Sequence, residues 1–292
     1  MIPPLVSFIT WNRLGLTDRN LKALLKTTDD FELYLADNNS RDDTWEYLEE
    51  LRDPRIKSKT RFDANRGPVY AANFHLSKRK NGQYFITIDS DVNIHTSDWI
   101  SKFIETFRDF PDVGLLGAVS GEYLSRNRQL LIKKEMNGAS YLQICKGFVE
   151  GCCQCLRPEL LDKIGYWNEE CCVGDMEICF RICNCTSFIA GFLPAIEIDQ
   201  LQFVPCDECG VKNLCTLLDN GKSCFDIYKD KYRNPQFRNL YGWKYSKFVK
   251  ELENGQRTAY SSSIHDNKVI GKYGYNRHWA EENFRYYMEH AD

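Results

Sequence analysis

The sequence predicts an α/β protein: a mostly parallel sheet with helices on both faces, followed by a cysteine-bearing, aromatic-rich C-terminal extension. Three observations predict it. Short apolar, β-rich runs alternate with runs of helical spacing through roughly the first 120 residues, the pattern of strand–helix–strand crossovers. Three of the apolar runs end in polar clusters, Thr10-Trp11-Asn12, Asp37-Asn38-Asn39 and Asp89-Ser90-Asp91, and ligands of such sheets bind beyond the carboxyl ends of the strands. All 13 cysteines lie between Cys145 and Cys224, and residues 1–144 contain none.

The elements follow in order. Leu5 to Thr10 reads as a buried strand, and Asp18 to Leu25 as a helix with Asp18 at its N-cap. Phe31 to Ala36 is a second strand, and Thr44 to Leu51 a helix with Trp45, Leu48 and Leu51 at helical spacing. Ile56 to Lys59 offers a third strand. Asn65-Arg66-Gly67-Pro68 interrupts the chain before a helix at Val69 to Leu76. Tyr84 to Ile88 is the plainest strand and runs straight into Asp89-Ser90-Asp91. A helix at about Asp98 to Phe107 and an apolar strand at Val113 to Val119 come next. The character changes near residue 202, so residues 1–202 are expected to form the sheet domain and 203–292 the extension.

Composition narrows the function. The 43% hydrophobic and 27% charged fractions are those of an ordinary globular chain. A formal net charge of -3 makes no electrostatic case for nucleic-acid binding. The opening residues lack a basic n-region, and no apolar run approaches the ~20 residues of a membrane span. A cytoplasmic protein is expected, with peripheral attachment to a membrane left open.

Asp89-Ser90-Asp91 places two carboxylates one residue apart at the mouth of a buried strand. Such charge needs a partner, and Mg or Mn takes oxygen ligands that it shares with substrate phosphates. The pattern D-x-D is weak alone, but it has company. Phe31 to Thr44, ending A-D-N-N-S-R-D-D-T, resembles the V-D-N-x-S-x-D-x-T segment of family 2 glycosyltransferases. Asn65-Arg66-Gly67 with Ala71-Ala72-Asn73 resembles that family's N-x-G…A-R-N segment. Gly147 to Arg181 resembles its distal block, in which a turn and helix precede an E-D-x-D-L…R helix.

The resemblance implies a GT-A (Rossmann-like) fold and transfer of a sugar from a nucleotide-sugar donor, most often a UDP-sugar, to an acceptor hydroxyl. The acceptor could be a glycan, a lipid-linked sugar or a protein. It also implies roles for residues. Thr10, Asn12, Asp37, Asn65, Arg66, Asp89 and Ser90 should border the nucleotide sugar. Asp91, with Asp89, should hold Mn or Mg, and Asp175 should be the catalytic base. A carboxylate on the face opposite a departing diphosphate would take the acceptor's proton and invert the anomeric centre in one step. Asp175 also stands where a helix cap is expected, and Glu177 and Arg181 are spaced to pair across one turn.

The chain departs from the family pattern in three places. Ala72 replaces the family's Arg, leaving Arg66 or Arg13 as the nearest phosphate contacts. Gly174 replaces an acidic residue, and Ala195 to Gln200 lacks the family's His metal ligand, leaving Asp199 and His265 as candidates. These departures keep open a catalytically inactive binding module. A nucleotidyltransferase is the other alternative, although Trp11-Asn12-Arg13-Leu14-Gly15 makes a poor phosphate cradle.

Cys206, Cys209, Cys215 and Cys224 place four thiols in a short, turn-rich segment that opens with C-x2-C. Structural zinc wants four such ligands. An iron–sulfur cluster and four unmetallated thiols are the other readings. The remaining cysteines are expected to fill core space as small hydrophobes. The aromatic tail from Tyr241 is expected to pack on the sheet domain.

Overall fold

The first strand, β1 (Leu5–Thr10), is buried from end to end, and its side chains divide by parity. Val6 and Phe8 join one apolar cluster, and Leu5 joins another on the opposite face. The division recurs at Phe85 against Ile86 and at Leu115 against Leu116. A strand that is apolar on both faces needs helices above and below it. This computed structural model describes residues 2–126, 130–171, 173–200, 205–217 and 223–290.

After β1 come α1 (Leu14–Leu25), β2 (Glu32–Asp37), α2 (Thr44–Glu50), β3 (Ile56–Arg61), α3 (Pro68–Leu76) and β4 (Phe85–Asp89). A short β5 (Val92–Ile94) leads to α4 (Trp99–Asp109), β6 (Val113–Gly117) and α5 (Gly121–Arg126). A hairpin of β7 (Leu130–Met136) and β8 (Ala139–Lys146) precedes β9 (Cys153–Leu156), α6 (Pro158–Ile164), α7 (Gly174–Cys185), β10 (Ile189–Phe192) and β11 (Ile198–Gln200). The extension is helical: α8 (Cys224–Arg233), α9 (Pro235–Glu253), α10 (Asn267–Tyr273) and α11 (Arg277–His290). Among the described residues no helix is long and apolar enough to cross a membrane.

The large sheet has the order β3-β2-β1-β4-β9-β6-β10-β8-β7, and β5 pairs with β11 apart from it. Only β9 and β8 run against the other strands, so the sheet is mostly parallel. Leu21 and Leu24 of α1 cover one face with Trp99, Phe103 and Phe107 of α4. Leu160 and Ile164 of α6 cover the other with Ile178 and Ile182 of α7. Each fully buried side chain of this kind stabilises the fold by about 1.5–3 kcal/mol.

Two local expectations are corrected. The first helix begins at Leu14, not Asp18. Its cap is non-local: Leu14 N–H donates to Asp42 Oδ2 at 3.1 Å, while Asp18 accepts from Lys22 on the helix surface. The cysteines before the extension are not all core residues either. Cys153, Cys155, Cys171 and Cys179 are buried, whereas Cys145, Cys183 and Cys185 are exposed. On α7 the buried face carries Glu177, Ile178, Arg181 and Ile182, which turns the last two cysteines outward. Cys172 lies outside the described residues.

The extension packs back onto the sheet domain, while the expected boundary at residue 202 lies outside the described residues. Gly165, in the positive-φ region at +65°, bridges to Ser261. A Cβ at Gly165 would lie 2.5 Å from both the Ser261 carbonyl oxygen and the Tyr260 ring. Gly165→Ala should therefore destabilise the protein by about 1–3 kcal/mol. Urea unfolding would show this, and a loss below about 0.5 kcal/mol would contradict the close approach.

Candidate active site

The carboxyl ends of β1, β2 and β4 sit side by side, because β1 pairs in parallel with both neighbours and Thr10 stands opposite Asp37. Thr10 is buried, and its hydroxyl lies 2.7 Å from that of Thr17. Asn12 takes φ of +44°, a conformation Asn tolerates better than most residues. Its N–H donates to Ser40 Oγ at 2.8 Å, and its Oδ1 accepts from Arg41 N–H at 2.7 Å. The loops after β1 and β2 are thereby tied together. Asn12 Nδ2 is buried without a hydrogen-bond partner.

Asp37 is fully buried at the end of β2. Its carboxylate accepts from the Ser40 hydroxyl, from Ser40 N–H at 3.0 Å, and faces Arg61 Nε at 3.6 Å. Burial nevertheless pushes its pKa up. Asn65 and Arg66 stand further out. Asn65 Oδ1 accepts from Gly67 N–H at 2.9 Å, and Arg66 pairs with Asp63 while lying 5.2 Å from the Tyr70 ring.

The acidic centre forms where β4 ends. Asp89 N–H donates to the Cys152 carbonyl at 2.9 Å, anchoring it to the turn before β9. Ser90 is buried, with its carbonyl accepting from Asn20 Nδ2 at 2.6 Å. Asp91 Oδ2 accepts from Arg13 Nη1 at 3.0 Å. Asp175, in the first turn of α7, accepts from Gly151 N–H at 2.9 Å. A Cβ at Gly151 would lie 2.4 Å from Asp175 Oδ1, so any larger residue there would push that carboxylate aside.

Electrostatics show how far these groups converge. The Asp89 pKa is pushed well above the usual carboxylate range, first by burial and then by the charges of Asp91 and Asp175. Glu150 adds to it and is itself raised by burial while accepting from the Tyr123 hydroxyl. A raised folded-state pKa penalises the folded protein as pH climbs from the unfolded value through the folded one. Asp89→Asn should accordingly raise the metal-free thermal midpoint by roughly 2–4 °C near neutral pH. The gain should shrink toward about pH 4. Scanning calorimetry at several pH values checks this, and a pH-independent gain would contradict the electrostatic origin.

Neither expected third metal ligand joins the pair. Asp199, the exposed residue of β11, bonds His95 Nε2 at 2.7 Å. Strand alternation turns Gln200 inward instead, where Oε1 accepts from Ser120 N–H at 3.1 Å. His265 Nε2 lies 3.1 Å from the Tyr70 carbonyl, its ring 4.4 Å from that of Tyr70. Burial lowers its pKa to about 4. Among the described residues no three His, Cys, Asp or Glu side chains share one coordination sphere. Glu150 and Gln200 escaped the sequence reading; the one available signal was the glycine-flanked turn that carries Glu150.

The cysteine segment lies against this edge. A Cβ at Gly15 would come within 2.5 Å of the Leu214 carbonyl oxygen. The Thr216 hydroxyl donates to Asp42 Oδ2 at 2.9 Å, the carboxylate that caps α1. The Cys224 thiol is pushed up to about 11, by burial above all, with Cys206, Cys209 and Cys215 near enough to contribute. The other three thiols are thus in electrostatic reach of Cys224, and the four do not form a coordination shell.

Against known proteins, the family model described as glycosyl transferase family 2 matches residues 6–165. Several solved structures resemble the fold. The mannosyltransferase PcManGT from Pyrobaculum calidifontis, in complex with GDP-Man and Mn2+, is 13% identical with TM-score 0.53, covering 100% of this chain and 86% of that one. GalNAc-T7 with UDP, GalNAc and Mn2+ is 12% identical with TM-score 0.52, covering 87% of this chain and 58% of that one. S. aureus TarS 1-349 in complex with UDP is 18% identical with TM-score 0.51. The match covers 68% of this chain, which spans 59% of that TarS chain. At these identities the likeness is one of fold, GT-A.

Proposed function

Because the chain belongs to glycosyl transferase family 2, we propose that it transfers a sugar from a nucleotide-sugar donor, a UDP-sugar above all, to an acceptor hydroxyl. One observation carries this reading: Asp89, Asp91 and Asp175 arrive from two separate elements and charge one another at the carboxyl edge of the sheet. Thr10, Asn12 and Asp37 would hold the base and ribose. Asn12 Nδ2, buried without a partner, is free to donate to the nucleotide.

The donor set fits a hard divalent cation. Two carboxylates one residue apart, one of them raised by burial and by its acidic neighbours, are what Mn or Mg uses when substrate phosphates complete its shell. Asp91 and Asp89 would hold the ion, which supplies charge neutralisation for the departing diphosphate. Asp175 then takes the acceptor's proton as the hydroxyl attacks the anomeric carbon, and the configuration inverts. Gly151 N–H fixes the orientation of that carboxylate.

Zinc on Cys206, Cys209, Cys215 and Cys224 is part of the proposal, and it requires those thiols to close into one tetrahedron. The extension from residue 203 is proposed to carry the acceptor surface, with Trp243 exposed on α9. The test is a panel of nucleotide sugars scored by thermal shift with and without Mn, followed by NMR of the product's anomeric centre. One donor should stabilise the protein only with Mn, and the product should be inverted. A panel that moves nothing, or a product of retained configuration, overturns the reading. Elemental analysis of the same protein should find one zinc per chain; iron in its place would mark a cluster.

A further inference from the structure

Two arginines were available to stand in for the Arg that Ala72 replaces, and the structure separates them. Arg66 is committed to Asp63 at the surface and lies against Tyr70. Arg13 is at the acidic centre. Its side chain is 17% exposed, Nη1 holds Asp91 Oδ2 at 3.0 Å, and Nε is buried with no hydrogen-bond partner. A buried guanidinium normally uses its donors, and this one keeps one in reserve beside the carboxylate proposed to bind the metal. Burial opposes the charge on Arg13, and the Asp91 carboxylate beside it counters that cost.

We infer that Arg13 is the resident cation of the donor site. It neutralises Asp91 until the cation and diphosphate arrive, then releases that carboxylate and turns Nη1 and the unused Nε onto the diphosphate. A guanidinium presents several N–H groups in one plane and suits a diphosphate better than an ammonium does. The inference rests on the proposed donor site and assigns that site a positioning residue.

The exchange makes opposite predictions for two ligands. Removing Arg13 takes away a competitor for the metal but also a ligand of the diphosphate. Arg13→Gln should bind Mn about two- to fivefold more tightly without nucleotide. It should bind UDP about 10- to 100-fold more weakly at saturating Mn. Arg13→Lys should restore the resting competition and only part of the UDP affinity. Electron paramagnetic resonance of free Mn reads the first quantity and calorimetry the second, with circular dichroism confirming the fold.

Parallel losses of both affinities in Arg13→Gln and Arg13→Lys would mark a structural residue and overturn the inference. Unchanged affinities would overturn it equally. If the wild-type protein binds neither Mn nor UDP, the donor site itself falls and the inference with it. Wild-type binding without the opposed shifts sinks the role of Arg13 alone.

Discussion

Asp175→Asn should lower turnover by about 10²–10⁴-fold while leaving donor affinity close to that of the wild-type protein. Asparagine keeps the shape and an acceptor oxygen for Gly151 N–H, so the loop contact at 2.9 Å survives. What it loses is the capacity to take a proton. Removing a carboxylate next to Asp89 also relieves like-charge repulsion, so the thermal midpoint should not fall. Steady-state kinetics with calorimetric donor binding would separate these effects. Near-normal turnover would remove Asp175 from the mechanism and leave it as the anchor of the Gly151 turn.

The largest expected loss of stability comes one turn along the same helix. Arg181 and Glu177 are both fully buried and joined by two bonds, Nε to Oε2 at 2.7 Å and Nη2 to Oε1 at 2.9 Å. Arg181 also donates to the carbonyls of Ile164, Tyr166 and Ala259. Arg181→Met strands Glu177 as an unpaired buried charge, which costs about 3–5 kcal/mol. Adding Glu177→Gln should recover part of that, because the remaining group is then neutral. Denaturant unfolding of both single variants and the double variant would show the coupling. Additive losses would mean that the pair is not a unit.

Much of this molecule was legible in its sequence because the signals were local. Tyr84 to Ile88 reads as a strand by its apolar run, and the polar residues at its end fall at the carboxyl edge of the sheet by topology alone. The errors arose where distant residues decide. Nothing near Leu14 announces a helix start, since its cap is Asp42, 28 residues away. Nothing near His265 reveals that it would lie against Tyr70, 195 residues earlier. Asp199 looked like a metal ligand because its chemistry fits, but a one-residue parity on β11 turned it toward His95 and left Gln200 facing in. The β7–β8 hairpin went unread because β7, exposed along nearly all of its length, has no buried face to give it a pattern.

The carboxylate of Glu169 has a consequence for how the protein is made. It is buried and accepts from Asn73 on α3, from Ser263 and Ile264, and from the Tyr275 hydroxyl. The Glu169 carbonyl accepts from Asn283, 114 residues later. A ribosome adding about 5–20 residues per second needs about 6–23 s to pass from Glu169 to Asn283. Throughout that interval the corner between α3 and α7 stays open on the nascent chain. The sheet can form during synthesis, but this wall closes only after Asn283 has emerged. A message cut short near residue 260 would therefore leave this wall of the sheet domain unbuilt.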